Sequence, residues 1–206
     1  MKKILCYGDS NTFGYNPKNG GRYDEKSRWS AILKENLSNN FQIIEEGLNN
    51  RTGFAESPDG FKYSGSKHLS YLLDELSDIE ILILAIGTND FQFRYNISEK
   101  IIEEKLSELL NKTIDKKIKT IVISPVELQE NILKSNFSFL FNEDSINKSK
   151  KLIKTYEKVS FDKNCAYLNF NRSIKPSSYD GLHYEKEAHL LIAQKLSEVI
   201  FNLITD

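Results

Sequence analysis

This sequence has few cysteines and almost no net charge. Its 206 residues include only two cysteines, and 28 basic side chains offset 29 acidic ones to leave a formal charge of −1. Two cysteines cannot form a disulfide framework or a four-cysteine zinc site. A chain without excess positive charge has no general attraction to phosphate backbones or anionic membranes. We therefore expect neither nucleic acid nor a membrane as a partner.

Long apolar runs are also missing. The N-terminal apolar stretch, Ile4–Tyr7, has four residues, whereas a signal peptide needs ~7–15. No run in the sequence approaches the ~20 apolar residues of a membrane-spanning helix. These features predict a cytoplasmic protein. At ~150 residues per domain, the length predicts one domain over residues 1–206, with a loop insertion around residues 125–145.

Short β-rich runs alternate with longer helical patterns along the whole chain. The run at residues 81–86 is apolar on both faces, which is typical of a parallel strand covered by helices on both sides. The alternation predicts an α/β fold with three α/β/α layers and a flavodoxin-like, five-stranded parallel sheet. The predicted strands are Lys3–Tyr7, Phe41–Glu45, Ile79–Ile86, Lys119–Ser124 and Ala166–Phe170.

Sheets of this kind bind ligands beyond the carboxyl ends of their strands, so the residues that follow each strand are the first place to look for a site. Gly8-Asp9-Ser10 follows the first strand. Its serine would lie near a helix start, where unpaired backbone N–H groups can face a developing negative charge. Taken alone, the pattern fits a nucleophile turn, an anion-binding loop or a plain turn.

Two further polar groups follow the third and fifth strands. Asn89, in Gly87-Thr88-Asn89-Asp90, can donate its amide to an oxyanion or close a turn. Asp180 precedes His183 by three residues, so its carboxylate can hold the imidazole tautomer or merely cap a turn. Together with Ser10 these residues supply a nucleophile, an oxyanion donor and a base with its orienting acid. That set is what acyl transfer requires.

On these motifs the sequence resembles the SGNH (GDSL-type) hydrolase family. Blocks in family order run from residue 4 to residue 184, and the run from Ile4 to Thr12, with Arg28-Trp29 and Glu46-Gly47-Leu48, is similar to the small arylesterase/acyltransferase branch. Asn11 stands where the GDSL name has leucine. The resemblance implies the SGNH hydrolase fold and no metal or organic cofactor. It also implies a catalytic triad, which consists of Ser10, Asp180 and His183.

The oxyanion hole implied by the resemblance contains one departure from the branch pattern. Aligning the branch motif on Glu46-Gly47-Leu48-Asn49-Asn50-Arg51-Thr52 places Asn50 where the family has glycine. The family uses the backbone N–H of that residue, which any residue except proline possesses. Asparagine also tolerates unusual φ angles better than most residues. The implied donors are thus the backbone N–H groups of Ser10 and Asn50 and the side-chain amide of Asn89.

The resemblance implies a serine esterase that cleaves carboxylic esters of small molecules through an acyl-enzyme on Ser10, with acyltransferase side-activity. The bulk of Phe13, Tyr15 and Phe91, which follow the nucleophile and Asn89 loops, favours short-chain esters. Relatives in this branch form homo-oligomers, so a homo-oligomer is also an expectation. Pro125–Asp144 carries an apolar cluster that fits a pocket wall, a subunit contact or a satellite core. The candidate pocket residues are Asp9, Phe13, Phe91, Phe137 and Phe139.

The alternative is a noncatalytic flavodoxin-like binding module whose first loop holds phosphate or a nucleotide. Such a module calls for a glycine-rich helix start with lysine, or an acidic cluster after the first strand. The segment after the first strand, residues 8–14, has neither feature.

Overall fold

The computed structural model describes residues 1–37 and 40–205. The strands are β1 (Lys3–Gly8), β2 (Gln42–Gly47), β3 (Ile79–Ala85), β4 (Lys119–Ile123) and β5 (Ala166–Leu168). The helices are α1 (Ser10–Phe13), α2 (Trp29–Leu37), α3 (Gly65–Glu75), α4 (Glu99–Asp115), α5 (Glu143–Asp162) and α6 (Lys186–Thr205). The five predicted strands are confirmed, and their observed ends differ from the predicted ones by at most two residues.

The strands form one parallel sheet in the order β2-β1-β3-β4-β5. This is the flavodoxin-like order, in which the chain reverses its direction of winding between β1 and β3. The carboxyl end of β1 lies between its two neighbours, since Gly8 is paired with Gly47 of β2 and with Ala85 of β3. Residues that follow these three strands therefore meet at one edge of the sheet.

Both faces of the sheet are buried, as the apolar runs predict. Leu82 and Leu84 of β3 belong to a core cluster with side chains from α3, α4 and α5. Their neighbours Ile81 and Ile83 point to the other face and join a cluster with side chains from α2 and α6. Alternate residues of a strand thus reach separate helical layers, which gives the three-layer α/β/α fold. Within the two described ranges, no helix combines the length and apolar character needed to span a bilayer.

The long connection between β4 and α5 is held by side chains buried in the core. It contains a short 3₁₀ helix at Glu130–Lys134, and Ile132 and Phe141 are buried in the same core cluster as α5. Asn142 ends the connection by capping α5, because its side chain accepts the backbone N–H of Ser145 at 3.0 Å. Part of this segment is therefore core, which fixes the position of the residues between the buried ones.

Candidate active site

The turn after β1 presents Ser10 at the start of a single helical turn. Asp9 caps this turn by accepting the backbone N–H of Asn11 at 3.0 Å. The turn is tight enough to require glycine before it, since a Cβ on Gly8 would lie 1.9 Å from Thr12 Oγ1. Gly14 ends the turn in the left-handed conformation at φ 83°. The local sequence therefore fixes where the Ser10 hydroxyl emerges from the sheet.

Ser10, His183 and Asp180 form one hydrogen-bonded line. Ser10 Oγ lies 2.9 Å from His183 Nε2, and His183 Nδ1 lies 2.7 Å from Asp180 Oδ2. The other carboxylate oxygen, Oδ1, accepts the backbone N–H groups of Leu182 and His183 at 2.9 Å each. Because a carboxylate faces Nδ1, the neutral imidazole carries its proton there and Nε2 is free to accept one. The arrangement can deprotonate a serine hydroxyl.

Asn11 connects the nucleophile turn to the histidine loop. Its Nδ2 donates to the carbonyl of Leu182 at 3.3 Å, and its Oδ1 accepts the backbone N–H of Tyr184 at 3.0 Å. The residue after Ser10 thus holds the backbone on both sides of His183. Sequence reasoning noted Asn11 only as a departure from the GDSL leucine and did not predict this contact.

Two aromatic rings cover the His183 imidazole. The ring centroid of Tyr15 lies 4.2 Å from that of the imidazole, and the Phe137 centroid lies 5.2 Å from it. His183 is only 2% exposed as a result. Excluding water strengthens the hydrogen bonds of the line, because the local dielectric is low. Phe137, which comes from the connection between β4 and α5, is the one member of the predicted pocket set that contacts the imidazole ring.

The oxyanion donors implied by the family resemblance lie after β1, β2 and β3. Asn50 adopts the left-handed conformation at φ 66°, a region in which glycine is the residue of lowest strain. Over residues 1–37 and 40–205, the backbone N–H groups of Ser10 and Asn50 have no protein acceptor. Asn89 uses one Nδ2 hydrogen on the carbonyl of Arg51 at 3.0 Å, which leaves its second hydrogen for a ligand.

Arg51 ties together the strands that carry these donors. Its buried guanidinium donates to the carbonyls of Gly8, at 3.0 Å, and of Glu46, and it lies 4.3 Å from the centroid of the Tyr7 ring. These carbonyls belong to the last residue of β1 and the next-to-last residue of β2. Arg51 is part of the branch motif, but its contacts follow only from the fold.

Asp90 fixes the loop that continues from Asn50. Its carboxylate is fully buried and accepts the backbone N–H groups of Gly53, Phe54 and Ala55 at 2.7–3.1 Å. Burial raises the pKa of Asp90 to about 6. The residue next to Asn89 thus holds the loop after Asn50. The loops that carry Asn50 and Asn89 are therefore joined by buried hydrogen bonds.

The other predicted pocket residues lie in different surroundings. Asp9 is buried beneath Ser10, where its carboxylate caps the turn and where burial raises its pKa. Phe91 is 1% exposed within the core, and Phe139 is 69% exposed on the surface. Phe13 is half-buried, with the guanidinium of Arg22 4.7 Å from its ring centroid. None of these four packs on the imidazole as Phe137 does.

Comparison with known proteins identifies the family and the fold. The model of the family described as GDSL-like Lipase/Acylhydrolase matches residues 4–196. A search of curated proteins gave no match. The fold is similar to that of the M. smegmatis aryl esterase, with 24% identity, a TM-score of 0.88, and coverage of 98% of this chain and 100% of that one. It is also similar to Est24, a carbohydrate acetylesterase from Sinorhizobium meliloti, with 23% identity, a TM-score of 0.87 and the same coverage.

At these identities the solved structures establish the fold, while the family match extends over nearly the whole chain and includes the serine, asparagine and histidine segments. The chain therefore belongs to the GDSL-like lipase/acylhydrolase family and is a carboxylic ester hydrolase with the SGNH fold.

Proposed function

We propose that the enzyme hydrolyses short-chain carboxylic esters through an acyl-enzyme intermediate on Ser10. The observation that carries this proposal is the line from Ser10 Oγ through the His183 imidazole to Asp180, with distances of 2.9 and 2.7 Å. A serine hydroxyl is a weak nucleophile until an adjacent base accepts its proton. Nε2 of His183 is that base, and Asp180 keeps the ring in the tautomer that leaves Nε2 unprotonated.

The acylation step begins when Ser10 Oγ attacks the ester carbonyl carbon and its proton moves to His183 Nε2. The tetrahedral intermediate collapses as the bond to the leaving alcohol breaks, and Nε2 returns the proton to the alcohol oxygen. In deacylation, water attacks the acyl-enzyme carbonyl while Nε2 takes a proton from that water. The carboxylic acid then leaves as Ser10 regains its proton. Asp180 stabilises the imidazolium that forms in both halves.

The negative charge that develops on the carbonyl oxygen requires donors that are already in place. The backbone N–H groups of Ser10 and Asn50 and the second Nδ2 hydrogen of Asn89 are the donors we assign. Each such donor typically contributes a factor of roughly 10²–10³ to kcat. Proton transfers and charge stabilisation are complete with these groups, so we propose no metal and no organic cofactor.

The surroundings of Ser10 favour a small acyl group. Ser10 is 8% exposed beside the aromatic cover of the imidazole. Surface cavities of about 600 and 540 Å³ have neither Ser10 nor His183 among their lining residues. A long acyl chain needs an apolar channel that leads to the nucleophile. The names of the two similar structures, an aryl esterase and a carbohydrate acetylesterase, point to aryl acetates and sugar acetates as the first esters to test.

Acyl transfer to an alcohol is the side-activity we propose. An alcohol bound over the acyl-enzyme can attack its carbonyl in place of water, with the same proton transfer to Nε2. The half-buried rings of Tyr15 and Phe137 offer an apolar surface to such an alcohol next to the base. The product ratio in a mixed water–alcohol solution measures this activity.

Active-site labelling tests the proposal directly. A fluorophosphonate is expected to modify Ser10, as mapped by mass spectrometry of the digested protein, and to leave the folded Ser10→Ala and His183→Ala variants unlabelled. Steady-state kinetics on p-nitrophenyl esters from acetate to octanoate is expected to show kcat/KM falling as the acyl chain lengthens. A folded wild-type protein that neither reacts with the probe nor turns over any ester would contradict the proposal and favour the noncatalytic binding module.

A further inference from the structure

Gln92 contacts both loops that carry the oxyanion donors. Its Nε2 donates to Asn89 Oδ1 at 2.8 Å and to Asn50 Oδ1 at 3.3 Å. Asn89 follows β3 and Asn50 follows β2, and these strands flank β1, which leads to Ser10. One fully buried side chain therefore joins two donors that reach the site from opposite sides of the nucleophile.

The orientation of the Gln92, Asn89 and Asn50 amides follows from the partners that the two asparagines have elsewhere. Asn89 Nδ2 faces the carbonyl of Arg51 at 3.0 Å, and Asn50 Nδ2 faces the carboxylate of Asp59 at 3.3 Å. Both of those partners can only accept hydrogen bonds. Each asparagine therefore turns its Oδ1 towards Gln92, which must donate with its NH₂ group. Both hydrogens of that group are used.

The hydrogen bond from Gln92 to Asn89 determines which end of the Asn89 amide faces the substrate. If the Asn89 amide were reversed, its oxygen would replace the N–H group that is assigned to the developing negative charge. Gln92 opposes this reversal, because a reversed amide would bring two NH₂ groups together. The Oε1 atom of Gln92 is buried and, within the described ranges, has no protein partner. A buried amide with an unsatisfied oxygen is a poor choice for stability alone.

We propose that Gln92 is a positioning residue of the oxyanion hole. It holds the Asn89 amide with Nδ2 available to the reacting carbonyl oxygen, and it steadies the left-handed Asn50 whose backbone N–H is a second donor. Gln92 does not itself touch the ester. The inference rests on the proposed function, since it assigns a role within the same oxyanion hole.

Substitution of Gln92 tests this role through a split between kcat and KM. Gln92→Met has a similar volume and no N–H, so kcat for p-nitrophenyl acetate is expected to fall about 10- to 100-fold with KM changed less than about threefold. Gln92→Glu keeps the shape but directs an oxygen at both asparagine oxygens, and is expected to lose more.

Thr113→Val is the matched control for a buried polar contact. It removes the hydrogen bond that Thr113 accepts from Thr120 Oγ1 at 2.9 Å and the one it donates to the Leu110 carbonyl at 2.8 Å. These bonds lie at the amino end of β4, away from Ser10, so the variant is expected to keep kcat. Circular dichroism and thermal unfolding establish that each variant is folded before its kinetics are compared. A folded Gln92→Met or Gln92→Glu enzyme with wild-type kcat would overturn the proposal.

A double-mutant cycle separates positioning from a general structural effect. In the Asn89→Ala background, Gln92→Met is expected to lower kcat by less than about threefold, because the group it orients is already gone. An equal loss in both backgrounds would overturn the role. A folded wild-type enzyme without Ser10-dependent turnover would instead overturn the proposed function, and this role with it, so the two failures are distinguishable.

Discussion

The two sides of the reaction centre are built in different ways. On the base side, Asp180 accepts backbone N–H groups of its own loop, and Asn11 binds the backbone on both sides of His183. On the oxyanion side, the Asn89 amide donates to the backbone carbonyl of Arg51 and accepts from the side-chain amide of Gln92. Backbone groups have fixed directions, whereas a side-chain amide reverses by rotation about one bond. On the base side, these partners of both side chains are backbone groups, whereas the orientation of the Asn89 amide also depends on a second side-chain amide, that of Gln92.

Asn89→Ala is expected to have the largest effect among the tests of this difference. It removes an oxyanion donor without disturbing the line from Ser10 to Asp180, so kcat should fall roughly 10²–10³-fold with little change in KM. Labelling of Ser10 by fluorophosphonate should slow but persist.

Asn171→Ala is the control for that experiment. Asn171 is also buried at this edge of the sheet, and its Nδ2 donates to Ser124 Oγ and the carbonyl of Pro125 at 2.8 and 2.9 Å. It should lower the thermal midpoint and keep kcat. A comparable fall in kcat for both variants would show that Asn89 acts through the fold rather than through the reaction.

Acidification tests the base side through His189, whose ring centroid lies 6.2 Å from that of Tyr184, the residue after His183. This buried histidine accepts the backbone N–H of Trp29 at 3.5 Å, and burial lowers its pKa to about 4. Between pH 6.5 and 4 the unfolded chain binds a proton that the folded protein does not, so this contribution to stability is present above pH 6.5 and is lost as pH falls. The loss between pH 7 and 5 is about 2 kcal/mol.

Urea unfolding at a series of pH values measures this contribution as the difference between wild type and His189→Gln. The variant has no imidazole to protonate, so its free energy of unfolding should fall less between pH 7 and 5. Parallel curves for the two proteins would refute the assignment to His189.

The sequence was sufficient to predict the sheet, and it indicates a candidate site at the carboxyl ends of the strands. Strands such as Ile79–Ala85 are apolar on both faces, a pattern that a parallel, doubly covered sheet explains without any knowledge of tertiary contacts. The rule that ligands bind at strand carboxyl ends then led to Ser10, Asn89 and His183, and the structure brings Ser10 and His183 within hydrogen-bonding distance. Their catalytic roles remain predictions.

The contacts that the sequence did not predict depend on the direction in which side chains point in the folded protein. The contact from Asn11 to Leu182 joins residues 171 positions apart, and no local pattern encodes it. Aromatic residues in loops were equally ambiguous, since Phe91 and Phe137 look alike in sequence. The first is buried in the core and the second packs on the imidazole. Only the folded backbone distinguishes these two surroundings.

Asn11→Leu restores the residue of the GDSL name and tests how the base side is held. It removes both bonds to the backbone around His183, so kcat is expected to fall about tenfold, in line with a coupling of ~1.4 kcal/mol between contacting groups. Asn11→Asp keeps an acceptor for the N–H of Tyr184 and loses the donor to Leu182, so its kcat should lie between those of wild type and Asn11→Leu. Wild-type kcat in folded Asn11→Leu would mean that the loop of Asp180 and His183 keeps its position without the Asn11 contacts.

The smallest expected effect is on the oxyanion side, where Asp90 responds to pH in the opposite sense to His189. The pKa of Asp90 is raised by burial to about 6, so the folded protein binds a proton more readily than the unfolded chain does. This contribution is fully present below pH 3.8 and is lost as pH rises through 6. Between pH 7 and 5 it therefore adds about 1 kcal/mol to the free energy of unfolding.

The measurement is the same pH series of urea unfolding, with Asp90→Asn compared with wild type. The variant has no titrating carboxyl, so acidification from pH 7 to 5 should destabilise it more than wild type, whereas His189→Gln should be destabilised less. The amide also disturbs the bonds to the loop at Gly53, so the informative quantity is the change with pH and not the stability at one pH. If the pH slopes of both variants differed from the wild-type slope in the same direction, the two sides would not differ in their response to protons.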